Sequence, residues 1–217
     1  MGTPWQRDAI TGVVLAGGRA ERMGGRDKGL LLFRGRPLVT YSLEALKAVA
    51  GRILINANRH RAAYAALGYP VVADRDQGFA GPLAGLLSAM RAAQSPYVLA
   101  VPCDAPLLEG RWLERLPAAL AAAHAELCAA HDGHRLHPVV LLAERRLADD
   151  LEAYLDDGGR KVERWLARHK LALADFRDHP EVLANINTPE QLAQLERAQS
   201  GEAGASGPEG STSERGP

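Results

Sequence analysis

Apolar positions along the chain follow two different periods. Short runs such as Val13-Val14-Leu15, Ile53-Leu54-Ile55, Val71-Val72-Ala73 and Tyr97-Val98-Leu99-Ala100-Val101 carry no polar alternation, as expected of parallel strands covered on both faces. Between these runs, apolar residues recur at helical spacing. Val39, Leu43, Leu46 and Ala50 form one stripe, closed by Gly51; Leu83, Leu86, Leu87 and Met90 form another, opened by Pro82. Both predict helices, with a shorter one over 62–67 stopping at Gly68. Leu30-Leu31-Leu32-Phe33 before Gly35 reads as a short extended piece and a turn, and Pro37 suits the first turn of the helix that follows. Strand and helix in alternation predict an α/β fold, with a mainly parallel sheet between two helical layers in a Rossmann-like arrangement.

The pattern changes after a helix predicted over 112–123. Leu127-Cys128-Ala129-Ala130-His131 and His137-Pro138-Val139-Val140-Leu141-Leu142 read as two strands joined by Asp132-Gly133-His134-Arg135, and Asp-Gly is a hairpin signal. Helices are expected over 148–155 and 162–168. Asn185-Ile186-Asn187 is expected to end a strand. Thr188 then caps the last helix, with Pro189 in its first turn and Gln191 completing a capping box. From Gln199 to Pro217 the chain has no large apolar residue. The expectation is one domain over 1–198 and a disordered tail over 199–217.

The chain has 217 residues, 47% of them hydrophobic, and a net charge of +0 from 26 basic and 26 acidic side chains. That length suits a single α/β domain. The charge balance argues against a nucleic-acid partner. No apolar run is long enough to span a bilayer, and no cleavable leader is evident, so a cytoplasmic protein without a membrane partner is expected. Two cysteines, Cys103 and Cys128, suit a reducing compartment.

Chemistry concentrates where strands end. The first strand runs into Leu15-Ala16-Gly17-Gly18, then Arg19, Arg22, Gly24-Gly25, Arg26, Asp27 and Lys28. Glycines that let the backbone approach a ligand, with cations beside them, suit a phosphate cradle, and a plain solvated turn is the other reading. The stretch matches neither a Walker loop nor the dinucleotide fingerprint: Gly29 stands where Walker loops carry Ser or Thr, and Gly17 and Gly18 are adjacent. Asn56-Ala57-Asn58-Arg59-His60 and Asp74 end the second and third strands. Gly81-Pro82-Leu83-Ala84-Gly85 suits either a flat ligand or tight packing. Pro102-Cys103-Asp104-Ala105-Pro106 ends the fourth strand with a rigidly held carboxylate. Asp104 beside a phosphate cradle could hold Mg²⁺, which takes one or two carboxylates with waters and phosphate oxygens, or it could be a turn residue. Cys103 reads as packing more readily than as a nucleophile. His131, His134 and His137 recur every third residue, a spacing that does not converge the rings in an extended turn. Gly159-Arg160-Lys161 suits an anion contact or a solvated loop.

These motifs together, Leu15-Ala16-Gly17-Gly18, Arg22-Met23-Gly24, Asp27-Lys28, Asn56-Ala57-Asn58-Arg59, Gly81-Pro82-Leu83-Ala84-Gly85, Pro102-Cys103-Asp104 and Asn185-Ile186-Asn187-Thr188-Pro189, resemble the molybdenum cofactor guanylyltransferases in order and extent. The resemblance implies the nucleotide-diphosphosugar transferase type of fold and transfer of GMP from GTP to molybdopterin, with loss of pyrophosphate and with Mg²⁺ as cofactor. It implies GTP contacts at Leu15, Ala16, Gly17, Gly18, Lys28, Asn56 and Asp74, guanine near Gly81, Pro82 and Leu83, and both GTP and Mg²⁺ at Asp104. On the pterin side it points to Arg160 and Lys161, with Asn185 and Asn187. Relatives using CTP tend to carry Ala-Ala-Gly where this chain has Ala16-Gly17-Gly18, which favours GTP. Other proteins of cofactor biosynthesis, or recipient enzymes, would be transient partners. The residues themselves suggest that Arg22 and Lys28 neutralise the triphosphate and that positioning and electrostatics do most of the catalysis. Two other classes fit the same loop: a nucleotidyltransferase using CTP or a sugar phosphate, and a non-catalytic nucleotide-binding adaptor.

Overall fold

The computed structural model describes residues 6–17, 27–75 and 81–199. Gly18, the arginine-rich stretch with Arg22, residues 76–80 and the expected tail from 200 onward lie outside the described residues. The main sheet has seven strands: β1 (Ile10–Leu15), β4 (Arg52–Asn56), β5 (Val71–Val72), β6 (Tyr97–Pro102), β7 (Leu127–His131), β8 (Leu136–Glu144) and β9 (Leu171–Asp175). Their order is β5-β4-β1-β6-β8-β7-β9. β1 pairs in parallel with both β4 and β6, and only β8 among these strands runs antiparallel to its neighbours. The apolar runs expected as strands are β1, β4, β5 and β6, and the Asp-Gly hairpin is β7–β8.

Because β1 and β6 are buried on both faces, alternate residues feed two cores. Ile10, Val14, Leu99 and Val101 pack toward α1 (Leu38–Val49) and α5 (Arg115–Ala123). Val13, Val98 and Ala100 pack toward α3 (Pro82–Ala92), α6 (Ala148–Asp156) and α7 (Val162–Leu166). The remaining helices are short α2 (Arg61–Ala65) and α4 (Gly110–Leu113), and C-terminal α8 (Pro189–Gln199). The helix expected over 112–123 is thus two helices, α4 and α5, meeting at Glu114.

A small third core explains how the C-terminus reaches the site. Leu32–Phe33 (β2) and Arg36–Pro37 (β3) form a hairpin. Its Phe33, with Leu38 and Ile186, is buried, and Leu31, Tyr41, Leu192 and Leu195 pack around them. The backbone N–H of Arg34 donates to Glu196 of α8 (2.9 Å). Helix α8 is held against the segment that follows Lys28.

Two expectations need correction. Asn185-Ile186-Asn187 does not end a strand: a 3-10 turn over Pro180–Leu183 is followed by irregular backbone. Pro180 offers no N–H for a ladder, and the segment makes a single sheet-edge contact, Ile186 N–H to Asp104 C=O at 2.9 Å. The strand β9, conversely, was not expected. It is a half-exposed edge strand whose inward residues are Ala172 and Ala174, too small to give a strong period-two signal.

Candidate active site

The parallel pairing gathers the ends of β4, β1 and β6 at one edge. Leu15 is in register with Asn56 on one side and Pro102 on the other. Past the strand ends, Ala16 N–H donates to Asn56 C=O (2.8 Å) and Cys103 N–H to Leu15 C=O (3.3 Å). Leu15, Ala16 and Gly17 therefore occupy the middle of the edge, with one polar cluster on each side.

On the β6 side, Lys28 Nζ lies 3.3 Å from Asp104 Oδ2 and 2.7 Å from Asn187 Oδ1. These residues are 76 and 159 positions from Lys28. Asp104 is 8% exposed. Burial raises its carboxyl above the usual carboxylate range, although Lys28 pulls the other way. Lys28 opens a 3-10 turn (Lys28–Leu30) capped by Asp27, whose Oδ1 accepts from Gly29 N–H (3.2 Å) and from the Tyr64 hydroxyl. Gly29 is required there, since a Cβ would meet that hydroxyl at 2.5 Å and Cys103 Cβ at 3.3 Å. Asn187 is fixed from α8: its N–H donates to Gln191 Oε1 (2.7 Å), while Gln191 N–H donates to Thr188 Oγ1 (3.2 Å). The capping box forms, with its return bond one residue before the cap.

On the β4 side, Asn56 Nδ2 donates to Asp74 Oδ1 (2.8 Å) and Asn58 Nδ2 to Asp74 Oδ2 (2.7 Å). Asp74 N–H donates in turn to Asn58 Oδ1 (2.8 Å). Gly85, in the first turns of α3, lies against this cluster, and a Cβ there would sit 2.3 Å from Asn56 Oδ1. The Gly81–Gly85 segment thus serves close approach of helix to strand end, with Pro82 in the first turn and Leu83 buried in the core.

The other sequence-predicted residues make local contacts. Arg160 Nη1 donates to Leu155 C=O (2.8 Å) and Gly159 C=O (2.6 Å) at the end of α6, and Lys161 C=O accepts from the Tyr154 hydroxyl (2.9 Å). The C=O of Asn185 accepts from Asn187 Nδ2 (3.3 Å). Burial raises the Cys103 thiol far above its ordinary value and the Cys128 thiol to about 12, so both are packing residues at neutral pH. The histidines do not converge. His137 Nε2 pairs with Asp132 Oδ2 (2.6 Å), His131 Nδ1 accepts from Gly133 N–H (3.0 Å), and His134 is exposed. Among the described residues, no group of three or more His, Cys, Asp or Glu is placed to hold a metal ion. Sequence reasoning missed Tyr64 and Asn58 as site residues. Tyr64 gives no signal, since an aromatic residue in a short helix reads as core. Asn58 sits in a polar strand end whose repeat, Asn56-Ala57-Asn58, hinted at a pair.

A family model described as a MobA-like NTP transferase domain matches residues 12–175. The molybdenum cofactor guanylyltransferase of Shewanella sediminis is 47% identical over 189 residues, covering 87% of this chain and 96% of the relative. The guanylyltransferase of Shewanella loihica matches to the same extent. The chain belongs to the molybdenum cofactor guanylyltransferase family. Members of this family are nucleotidyltransferases. Solved structures agree on the fold. The molybdopterin-guanine dinucleotide biosynthesis protein A of Archaeoglobus fulgidus superposes with a TM-score of 0.73 at 22% identity, over 88% of this chain and 99% of that one. A nucleotidyl transferase from Methanothermobacter thermautotroptrophicus gives 0.70 at 22% identity, over 89% and 98%. Among the described residues, no helix is long and apolar enough to cross a membrane.

Proposed function

We propose that this chain transfers GMP from GTP to molybdopterin, forming the guanine dinucleotide cofactor and releasing pyrophosphate, with Mg²⁺ as the metal. The observation that carries the reading is the meeting of Lys28 and Asp104, 3.3 Å apart at the carboxyl edge of the sheet, where open α/β folds bind their ligands.

Lys28 supplies a fixed positive charge for the triphosphate, and Asn187 holds its ammonium from the far side. The buried carboxylate of Asp104 has a single cationic partner among the described side chains and a raised pKa, so it gains from a second cation. One carboxylate completed by waters and phosphate oxygens is a donor set that Mg²⁺ accepts. Bound there, Mg²⁺ would supply Lewis-acid stabilisation of charge on the phosphate oxygens. Arg22, outside the described residues, is assigned to the triphosphate from its place after Gly17-Gly18. The terminal phosphate of molybdopterin is ionised at neutral pH and attacks the α-phosphorus without a general base.

The base lies on the other side of β1. Two interstrand spacings, roughly 10 Å in all, separate the β4 and β6 ends, a distance suited to a nucleotide lying across Leu15-Ala16-Gly17. Guanine presents N1–H and its 2-amino group side by side, and the two carboxylate oxygens of Asp74 match that pair. Leu83, Pro82 and Gly81 border this end. Arg160, Lys161 and Asn185 are assigned to the pterin side, in a cytoplasmic reaction that hands its product to other proteins of the pathway or to recipient enzymes.

The test is incubation with labelled GTP, Mg²⁺ and molybdopterin, following the pterin dinucleotide and pyrophosphate. Product from GTP but not from CTP, and from molybdopterin but not from sugar phosphates, is expected. Product from CTP or a sugar phosphate instead would move the chain to another transferase. Nucleotide binding with no pyrophosphate from any pair would make it an adaptor.

A further inference from the structure

Asn58 is a polar residue at the nucleotide edge to which neither the GTP contacts implied by the resemblance nor the reaction assigns a role. It nevertheless makes two of the three hydrogen bonds joining Asp74 to Asn56 and Asn58. Its amide donates to Asp74 Oδ2 at 2.7 Å, and its carbonyl accepts from Asp74 N–H at 2.8 Å. Asn56 takes Oδ1 at 2.8 Å. A carboxylate held only at Oδ1 can still swing about its terminal torsion, which is broad for Asp. A carboxylate held at both oxygens, with its own N–H tied to the same side chain, has one plane. Asn56 is itself confined, since Gly85 and Gly17 leave its Oδ1 just enough room: a Cβ at either glycine would lie 2.3 and 3.2 Å away. Asn58, by contrast, is exposed, so its cost in ordering is not repaid by packing.

We propose that Asn58 is a positioning residue for base selection, setting the carboxylate plane of Asp74 so that both oxygens meet the paired donors of guanine. This rests on the reading that Asp74 faces the base. Adenine and cytosine each offer one exocyclic amino group and a ring acceptor at this edge, and uracil a single ring N–H. Only a purine with adjacent N1–H and 2-amino donors uses both oxygens in one plane. Each remaining acceptor site on Asp74 can take one donor while the Asn56 and Asn58 bonds persist, because a carboxylate accepts about four.

The experiment compares GTP with inosine triphosphate, which keeps N1–H and lacks the 2-amino group, in wild type, Asn58→Ala and Asn58→Asp. Wild type should prefer GTP in kcat/KM by roughly tenfold or more, the scale of one charge-assisted hydrogen bond. Both variants should raise KM for GTP with kcat within about twofold, and should bring the preference below about threefold, since loss of the plane affects only recognition of the amino group. Asn58→Asp should be the weaker binder of GTP, because it places a second negative charge against Asp74. A preference retained in both variants overturns the role of Asn58, as does a fall in kcat with the preference intact. A wild type that does not distinguish the two nucleotides overturns the placement of the base at Asp74 itself. The thermal midpoint, expected to move little for an exposed residue, confirms that the variants compared are folded.

Discussion

Two carboxylates at the same sheet edge, Asp104 after β6 and Asp132 after β7, are used in opposite ways. Asp104 is buried, shares its charge with the side chain of Lys28, and is pushed above the ordinary carboxylate range by desolvation. Asp132 accepts from the backbone N–H groups of His134 and Arg135 at 2.9 and 2.8 Å and from His137 at 2.6 Å, and these bonds hold it well below that range. The hairpin residue is thus satisfied by its own turn. The strand-end residue depends on chain distant in sequence and gains from an added cation. In a sheet whose edge collects polar groups, what distinguishes a ligand site from a turn is how much of a group's bonding the local backbone already meets.

The largest effect that separates the two is Asp104→Asn. The amide keeps the shape and leaves the backbone C=O that accepts from Ile186 in place, but it removes the charge for a metal. Pyrophosphate release should fall by about 10³-fold or more. Stability should move the other way. A carboxyl whose native pKa is raised binds more protons folded than unfolded, so wild-type stability declines as pH rises from the ordinary carboxylate value through the raised one. Asp104→Asn removes that decline. Its thermal midpoint relative to wild type should therefore be higher at pH 8 than at pH 4. Near-normal turnover in saturating Mg²⁺ would dissolve the contrast with Asp132.

Next comes Lys28→Ala. It takes away the cation that joins the N-terminal loop to Asp104 and Asn187, and kcat/KM for GTP should drop about 10²–10³-fold. Asn187→Ala follows, with about a tenfold loss, the scale of one hydrogen bond to a charged group. It leaves Lys28 beside Asp104 but frees it on the α8 side. Steady-state kinetics across the two variants check the order. If Asn187→Ala matched Lys28→Ala, the ammonium would owe its position to α8 more than to its own turn.

Much of this arrangement could be read from residues. The parallel runs of Val, Ile and Leu identify β1, β4 and β6. Their polar ends, Asn56 and Asp104, follow from the rule that such sheets bind ligands there, and Asp132-Gly133 announces its hairpin. What could not be read is the approach of distant chain. Asn187 reaches Lys28 because Ile186, Leu192 and Leu195 pack on Phe33 and Leu38, a pairing of two ordinary apolar patterns that nothing local specifies. Tyr64 meets Asp27 by the same kind of long-range packing. β9 escaped because its buried face is alanine, which buries too little area to leave a pattern, and the helix expected from 112 onward breaks at Glu114 without a glycine to mark it. Nor does the sequence show that the Arg160 guanidinium donates to the carbonyls of Leu155 and Gly159, beside the C-terminal end of α6, where the helix dipole favours a cation.

The smallest expected effect is the most direct test of the comparison. Asp132→Asn should leave guanylyl transfer within about twofold, because its bonds are spent inside the hairpin and none reaches Lys28, Asn187 or Asp74. It should cost stability with a pH dependence opposite in sign to that of Asp104→Asn. A carboxyl whose native pKa is depressed stabilises the fold above its unfolded pKa, and that contribution is lost as pH falls from the ordinary value of 3.8 toward the depressed one. The variant should therefore melt below wild type at pH 7, and the gap should narrow as the solution is taken below about pH 4. An unchanged gap across that window would mean that Asp132 acts through the shape of the turn and not through its charge. A loss of transfer as large as that of Asn187→Ala would mean that the hairpin belongs to the site, and that the difference between the two carboxylates is one of degree.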